Sequence, residues 1–245
     1  MRLLLANPNT TQAVTDTAAA RARACAAPGT EILPVTARFG AAVIGTRSEL
    51  AIAEHACLDL LAAHAPGCDA VVVAASTDSA VRAGRELLDV PVLGLTESSL
   101  HMACLAGGAF GTVTLTARSN ATLREQIAAS GLAARCVACR HAEATPQQAL
   151  AQPEAVAALV AAEIAALAGQ GAEAVVLVGA VMPALLPHLE SDLPLLEGVA
   201  CAVALAEAMV RLRLPKARAG SYARPNGRAS MGLSAELTAR LQGRR

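Results

Sequence analysis

The most constraining feature of this sequence is a short apolar run, flanked by small and polar residues, that occurs twice. The first copy, residues 67–78, reads GCDAVVVAASTD, and the second, residues 171–182, reads GAEAVVLVGAVM. Runs of this length and composition are typical of strands buried on both faces of a parallel sheet. The repetition predicts a fold assembled from two similar halves that face each other across a cleft. The alternative is that any two buried parallel strands resemble each other in a chain rich in Ala and Val.

Strand-like and helix-like segments alternate along the rest of the chain. Strand signals cover residues 2–6, 31–36, 69–75, 90–95, 111–116, 134–140, 174–178 and 193–196. Helical patterns lie between them, so the sequence predicts an α/β protein with parallel sheets. The side chains expected to cap helices are those of Thr10 or Thr11, Ser48, and one of Ser76, Thr77 or Asp78.

The expected domain division follows the repeat. We assign residues 1–95 together with 200–245 to a first α/β half, and residues 96–199 to a second half. The sequence has no linker rich in Gly, Ser or Pro between them. The segment 214–231 is rich in Arg, Pro and Gly, and we expect it to wrap the surface.

Composition argues against several classes of function. The 20 basic and 20 acidic residues give a formal net charge of zero, which leaves no electrostatic footprint for nucleic acid. The aromatic residues are Phe39, Phe110 and Tyr222, too few for base-stacking surfaces. The single lysine, Lys216, lies in the Pro- and Gly-rich segment, so a buried Schiff base with pyridoxal phosphate is not expected. The sequence contains no Walker loop, no GxGxxG after a strand and no GxSxG, and we expect no cofactor.

Nothing in the sequence points to a membrane. No run of about 18 apolar residues exists, and the apolar start at residues 3–6 is too short for a secretory signal. We expect a cytoplasmic protein with a small-molecule substrate and without nucleic-acid or membrane partners. A nearly neutral, Ala-rich surface is compatible with a homo-oligomer.

Two of the seven cysteines form the motif Cys136-Val137-Ala138-Cys139, with His141 two residues further on. This spacing is that of a redox motif or of half a zinc site. A structural zinc site needs four ligands, and the chain has no second CxxC and no HxxxH. The pattern therefore favours a strand that carries two incidental thiols, and no metal site is expected.

Small polar side chains follow three of the predicted strands, in residues 7–11, 76–78 and 116–120. The side chains of Asn7 and Asn9 are expected to point outward. Ligands collect at the carboxyl ends of parallel strands, and hydroxyls with free N–H groups at helix starts bind anions. Such a surface suits a carboxylate, an enolate or a hydantoin-type carbonyl. The predicted substrate contacts are Asn9, Thr10, Ser76, Thr77, Thr116, Ala117 and Val181.

Several segments carry a resemblance to a known family. They are Asn7-Pro8-Asn9-Thr10, the runs at 70–78, 85–87, 90–94, 110–114 and 197–200, and Gly220-Ser221-Tyr222-Ala223 with Pro225. In this order they resemble the aspartate/glutamate/hydantoin racemase superfamily, in particular its hydantoin and allantoin racemase branch. The resemblance implies two pseudo-symmetric, Rossmann-like α/β halves with the active site in the cleft between them. It also implies cofactor-independent proton transfer at a carbon next to a carbonyl of a hydantoin-, allantoin- or amino-acid-like substrate.

The resemblance further implies two catalytic cysteines, one at each strand end, because inversion needs a base and an acid on opposite sides of one carbon. The first cysteine position is occupied by Ala75, and the second falls on Gly179, or on Ala180 if the alignment shifts by one. None of the seven cysteines matches either position. Loss of one general acid–base group costs roughly 10²–10⁴-fold in rate, so at most trace racemase activity is expected.

Three interpretations of the missing thiols remain open. The first is a racemase altered at its catalytic cysteines. The second is a relative that uses other groups, as in arylmalonate decarboxylase, whose small residue followed by hydroxyls resembles Ala75-Ser76-Thr77. In that case Asp78 is a candidate base, against the simpler role of a helix cap. The third is a binding protein that has kept the cleft but not the reaction.

Overall fold

The computed structural model describes residues 1–217, 219–225 and 227–243. The strands are β1 (Arg2–Asn7), β2 (Glu31–Thr36), β3 (Ala70–Val73), β4 (Val92–Gly94), β5 (Phe110–Thr114), β6 (Cys136–His141), β7 (Ala174–Leu177) and β8 (Leu195–Glu197). The α-helices are α1 (Gln12–Cys25), α2 (Arg47–His64), α3 (Val81–Leu87), α4 (Leu95–Ala106), α5 (Ala117–Ala129), α6 (Pro146–Ala151), α7 (Pro153–Gly169), α8 (Gly198–Arg211) and α9 (Ala235–Leu241). Short 3-10 helices cover Ala133–Arg135, Met182–Ala184, Leu186–His188 and Gly220–Tyr222. None of the helices in the described ranges is long and apolar enough to span a bilayer.

The strands form two parallel four-stranded sheets. Their strand orders are β2-β1-β3-β4 and β6-β5-β7-β8, which are the same order written twice. Every neighbouring pair is parallel. The α/β class with two similar halves is therefore confirmed.

The two copies of the repeated apolar run are interior strands of the two sheets. β3 (AVVV) and β7 (AVVL) have strands on both sides and are buried along their whole length. Each side chain of these strands must pack against apolar groups, since helices cover both sheet faces. This explains why both runs lack the polar alternation of a half-exposed strand.

One apolar cluster joins the two halves. It includes Leu3 and Leu5 of β1 together with Leu177 of β7 and Val199 of α8. The shared core is possible because α4 and α8 meet closely at their first residues, Leu95 and Gly198. A Cβ atom built on Gly198 would lie 2.5 Å from the Cβ of Leu95, so only glycine permits this approach.

The C-terminal segment packs on the first sheet's half. The side chain of Leu237 in α9 is buried in the apolar cluster that contains Leu4 and Leu61. The Lys216 ammonium donates to the carbonyl of Glu86. Arg218 and Asn226, which belong to the segment expected to wrap the surface, lie outside the described residues. The assignment of 1–95 with 200–245 to one half, and of 96–199 to the other, stays a prediction.

The helix caps differ from those expected. Thr11 occupies the N-cap position of α1, but its hydroxyl donates to the carbonyl of Ala42 at 2.7 Å instead of accepting from the helix. Thr46, not Ser48, caps α2, because Glu49 at the third helical position completes a capping box with it. α3 begins after Ala80, which has a left-handed φ of 58°, and it has no side-chain cap. None of the three polar residues at 76–78 therefore caps α3.

Candidate active site

A cleft of about 310 Å³ lies where the carboxyl ends of the two sheets meet. The ends of β1 and β3 supply one wall, the ends of β5 and β7 supply the other, and the loop before α2 covers one side. Its lining residues are Asn9, Val14, Ala42, Val43, Ile44, Gly45, Ala74, Ala75, Ser76, Leu115, Thr116, Arg118, Ser119, Pro146, Val178, Gly179, Ala180 and Val181.

The two walls are related by the internal repeat. After β3 the Asp78 N–H donates to the carbonyl of Ala75 at 3.2 Å, and after β7 the Met182 N–H donates to the carbonyl of Gly179 at 3.2 Å. Strands β3 and β7 also pair in the same register with their neighbours. Ala70, at the start of β3, pairs with Leu3 of β1, and Ala174, at the start of β7, pairs with Phe110 of β5. Ala75 and Gly179 are therefore equivalent positions on opposite walls of one cleft.

The structure brings together most of the predicted site residues. Those that line the cleft are Asn9, Ala75, Ser76, Thr116, Gly179, Ala180 and Val181. Asp78 instead lines a second, larger cleft of about 630 Å³. Thr77 lines that second cleft and also a small pocket whose lining includes Ser76 and Ser119 of the first cleft. Thr10 and Ala117 line neither of these two clefts.

The loop after β1 is held from inside. The Asn7 side chain is fully buried and donates to Asn9 Oδ1 at 3.0 Å and to Thr15 Oγ1 at 2.9 Å. Its own Oδ1 accepts from the Asn9 N–H at 3.1 Å. The expectation that both asparagines point outward is therefore wrong for Asn7, because the tight turn at Pro8 needs an internal amide to satisfy its backbone groups. Asn9 lines the cleft, and its side-chain Oδ1 already accepts from the Thr11 N–H at 2.9 Å.

Two hydroxyls at the end of β3 point in different directions. Ser76 lines the cleft, and its backbone carbonyl accepts from Thr96 Oγ1 at 2.8 Å and from Gln126 Nε2 at 3.1 Å. The Thr77 hydroxyl instead pairs with the Ser79 hydroxyl at 2.7 Å. Bonds from α4 and α5 therefore fix the Ser76 backbone, while its hydroxyl remains available to a ligand.

The turn after β5 presents a helix start to the cleft. Thr116 caps α5, because its Oγ1 accepts from the Ser119 N–H at 3.2 Å and pairs with the Ser119 hydroxyl at 2.9 Å. Both residues line the cleft. The structure therefore places a helix start on the cleft at 116–120, and its binding of an anion stays a prediction.

Asp78 is a helix cap, but for a helix distant in sequence. Its carboxylate accepts from the N–H groups of Thr96, at 3.0 Å, and Glu97, at 2.7 Å, at the start of α4. Burial raises the pKa of Asp78 to about 7, although these two hydrogen bonds act in the opposite direction. Because Asp78 faces the second cleft and both of its oxygens are engaged, the structure gives no support to its role as the base in the first cleft.

The cleft is poor in groups that exchange protons. Within the described part of the chain, Arg118 is the only ionisable side chain that lines it. A guanidinium stays protonated in proteins, so Arg118 can bind an anion but cannot act as a base. The cysteines lie elsewhere, and burial raises the pKa of Cys57 and of Cys201 to about 12. No thiol of the described chain takes the place of the two missing cysteines.

Sequence reasoning missed several lining residues. Val43, Ile44 and Pro146 come from loops whose position depends on tertiary packing. Arg118 offered a usable signal, because a cation in the first turn of a helix is opposed by the helix dipole.

The fold and the cleft together define a class: a doubled parallel α/β protein whose ligand site lies between equivalent strand ends. Residues 3–206 match the family model for Asp/Glu/hydantoin racemases. A curated hydantoin racemase of Paenarthrobacter aurescens is 30% identical over 231 residues, 92% of this chain and 98% of that protein. Solved allantoin racemases of Pseudomonas fluorescens (31% identity, TM-score 0.90, covering 95% of this chain and 100% of that one) and Klebsiella pneumoniae (34%, 0.89, 97% and 98%) share its fold.

The chain therefore belongs to the Asp/Glu/hydantoin racemase family, and the resemblance found in its sequence is confirmed. These three relatives, which match nearly the whole chain, are named as hydantoin and allantoin racemases, which are isomerases. These comparisons do not favour the decarboxylase alternative.

Proposed function

We propose that the cleft binds a hydantoin- or allantoin-like compound and that the chain has lost the two-thiol proton transfer of its family. The observation that carries this proposal is the pairing of Ala75 with Gly179 and Ala180 on opposite walls, in a cleft whose one ionisable lining group, within the described chain, is Arg118. The cleft has retained the place for a substrate but lacks groups to move its proton.

The remaining polar groups suit a planar ring with several carbonyl oxygens. Ser76, Thr116 and Ser119 offer hydroxyls, and the start of α5 offers backbone N–H groups. Such donors stabilise a carbonyl oxygen and the enolate that develops from it. Val43, Ile44 and Val181 form an apolar part of the wall, which we assign to a substituent on the ring.

The lack of acid–base groups in the cleft determines the expected rate of racemisation. Racemisation requires one group to remove the α-proton and another to return a proton to the opposite face. Hydroxyls and a guanidinium are poor bases near neutral pH, so the chain binds its ligand without exchanging the α-hydrogen at more than a trace rate. The reaction of the family needs no cofactor, and we propose none for this protein. A cytoplasmic location and a homo-oligomeric state also stay proposals.

The test is hydrogen–deuterium exchange of L- and D-hydantoins and of allantoin in deuterated water. The unmodified chain is compared with an Ala75→Cys/Gly179→Cys variant and an Ala75→Cys/Ala180→Cys variant. Exchange with inversion that occurs only after the thiols are restored supports the proposal. Ligand binding is measured separately by the rise in melting temperature, since a ligand that binds the folded state stabilises it.

Two results would contradict the proposal. Exchange by the unmodified chain at the rate of the thiol variants would show that another base acts in the cleft. Failure of all three proteins to bind any hydantoin or allantoin would show that the cleft accepts a different class of ligand. Binding by all three without exchange by either variant would leave the ligand class intact and would assign the chain to non-catalytic binding proteins.

A further inference from the structure

The two thiols of the CxxC motif face each other on the edge strand of the second sheet. The sulfur atoms of Cys136 and Cys139 lie 3.7 Å apart on β6, which has a neighbouring strand on one side only. Side chains three residues apart on a regular strand point to opposite faces. The sulfur contact therefore requires an irregularity between them.

That irregularity is a β-bulge. Cys136 pairs with Phe110 of β5, whereas Ala138 pairs with Gly111, so that Val137 is an extra residue in the register. Cys139 then pairs with Thr112, and the two cysteines are opposite residues only two apart on β5. The bulge brings both thiols to one face of the sheet.

The span between them suits a disulfide. Two residues of a strand rise by about 6.6 Å, and disulfides bridge Cα atoms about 4.4–6.8 Å apart. From the register we therefore infer a Cα separation near the upper end of this range. Both residues are half-buried, which leaves them reachable by a small reagent, and an edge strand can shift slightly because no ladder holds its outer side.

The surroundings distinguish the two thiols. The contact with the Cys136 thiol, aided by the positive charge of Arg124, holds the pKa of Cys139 below its ordinary value. The same contact with Cys139, together with burial, raises the pKa of Cys136. One thiol is thus suited to attack as a thiolate, and the other remains protonated beside it.

We propose that Cys136 and Cys139 form a dithiol modification site that a low-molecular-weight disulfide, such as oxidised glutathione, converts to an intrastrand disulfide. The Cys139 thiolate attacks one glutathione sulfur, the glutathione S–S bond breaks, and one glutathione thiolate leaves. Cys136 then gives up its proton and attacks the Cys139 sulfur, which breaks the mixed disulfide and releases the second glutathione thiolate. The dithiol loses two electrons and two protons in total, and these convert one oxidised glutathione to two reduced molecules.

The other thiols of the described chain lack this arrangement. Cys57, Cys68 and Cys201 are buried, and Cys25 and Cys104 are half-buried without a second thiol at hydrogen-bond distance. The site is also separate from the proposed ligand cleft, which neither Cys136 nor Cys139 lines. Reaction at the two thiols can therefore be tested independently of ligand binding in the cleft.

The test uses peptide mapping of the whole protein after incubation in glutathione buffers of increasing oxidised-to-reduced ratio, with an acid quench and alkylation of the remaining thiols. Trypsin cleaves after Arg135 and Arg140, so the peptide CVACR at 136–140 carries both cysteines and no other. We expect this peptide to lose two hydrogen atoms in mass. We also expect its conversion at pH 7 to be about 10-fold faster than glutathionylation of Cys104, because the contacts of the pair lower the pKa of Cys139 and favour its thiolate.

Single variants provide the controls. Cys136→Ser should leave Cys139 carrying a stable glutathione adduct, and Cys139→Ser should react no faster than Cys104. Cys104→Ser should leave the disulfide unchanged. If the peptide at 136–140 stays reduced, or carries only glutathione adducts, in a buffer that modifies Cys104, the proposal is wrong. Since serine replaces a half-buried thiol of similar size, circular dichroism should confirm that each variant is folded.

Discussion

The carboxylate of Asp78 occupies the space directly above the Cα of Gly94. A Cβ atom built on Gly94 would lie 2.3 Å from the Asp78 carboxyl carbon. This contact lets Asp78 reach the first N–H groups of α4, at Thr96 and Glu97. In the second half, the start of α8 is also capped by an acidic side chain, but by one next to it in the sequence. Glu197, at the N-cap position, accepts from the N–H groups of Val199 and Ala200. Each half therefore places one acidic side chain at the start of the helix that packs against the other half.

Gly94→Ala should displace Asp78 and remove the cap of α4. We expect a loss of about 2–4 kcal/mol of unfolding free energy, from overpacking combined with the lost cap. Urea unfolding monitored by circular dichroism measures it. Gly169→Ala is the matched control, because a Cβ at Gly169 meets nothing within 4 Å. Equal stabilities of the two variants would contradict the packing of Asp78 against Gly94.

Asp78→Asn should change how stability depends on pH. The pKa of Asp78 is about 7 in the folded protein because of burial, against about 3.9 for an unperturbed aspartate. Between these values the folded state holds a proton that the unfolded state releases, so this residue's contribution to the unfolding free energy falls as pH rises. The stability of the unmodified chain, relative to that of the variant, should therefore decline from about pH 4 to about pH 7. Parallel profiles from urea unfolding would contradict the raised pKa.

Asn7→Ala should weaken both the fold and the cleft. The buried Asn7 side chain bonds to Asn9 and to Thr15. Its removal leaves the Asn9 N–H without its acceptor and takes one donor from Asn9 Oδ1 and one from Thr15 Oγ1. We expect a cost of about 1–3 kcal/mol and a weaker affinity for the cleft ligand, measured by urea unfolding and calorimetry. Thr17→Ala, which removes an exposed hydroxyl of α1, should change stability by no more than about 0.5 kcal/mol. An Asn7→Ala variant as stable as this control would show that the loop does not depend on its amide.

The two candidate positions for the second thiol should differ in how well a cysteine placed there restores deuterium exchange. Gly179 has a φ of 149°, a conformation that L side chains rarely adopt, whereas Ala180 already bears a side chain on the cleft wall. Both substitutions are tested in a chain that also carries Ala75→Cys. In that chain, Ala180→Cys should restore deuterium exchange at least about 10-fold better than Gly179→Cys, because a side chain at position 179 adds about 1–3 kcal/mol of backbone strain. The opposite ranking, in variants of equal stability, would assign the second catalytic position to Gly179.

Arg118 should select charged ligands. We expect Arg118→Ala to weaken binding of a carboxylate-bearing hydantoin about 10-fold, the value of a partly exposed charged hydrogen bond. Binding of an uncharged hydantoin should change little. Arg211→Ala, at an exposed site at the end of α8, is the control for a general loss of positive charge. Equal effects of Arg118→Ala on the two ligands, measured by calorimetry, would show that Arg118 does not contact the charge.

Much of the fold could be predicted from the sequence because burial patterns are local. The runs at β3 and β7 could be assigned to interior strands, since only a doubly covered strand needs consecutive Val and Ala residues without polar alternation. Short elements were harder. α6 and α9 are short, with six and seven residues, and their apolar patterns are too brief to be distinguished from loops.

Some residues of the candidate site could likewise be predicted from the sequence, and others could not. Ala75, Ser76 and Thr116 could be identified because each follows a recognisable strand, and parallel strands end at one edge of a sheet. The sequence alone also determined that neither thiol position holds a cysteine. It could not determine that Asp78 turns away into a second cleft, because adjacent residues in an irregular turn take directions that only their neighbours fix.

Tertiary structure decided every relationship between residues distant in the chain. It placed Asp78 on the start of α4 and Arg118 on the wall of the cleft, and a bulge at Val137 brought Cys136 to Cys139. The physical reason is that hydrophobic periodicity records which side of an element is buried, but not which distant group it meets. The amino-acid sequence by itself determined the two-fold repeat, the α/β class and the missing thiols; the packing of the two halves determined what those features form together.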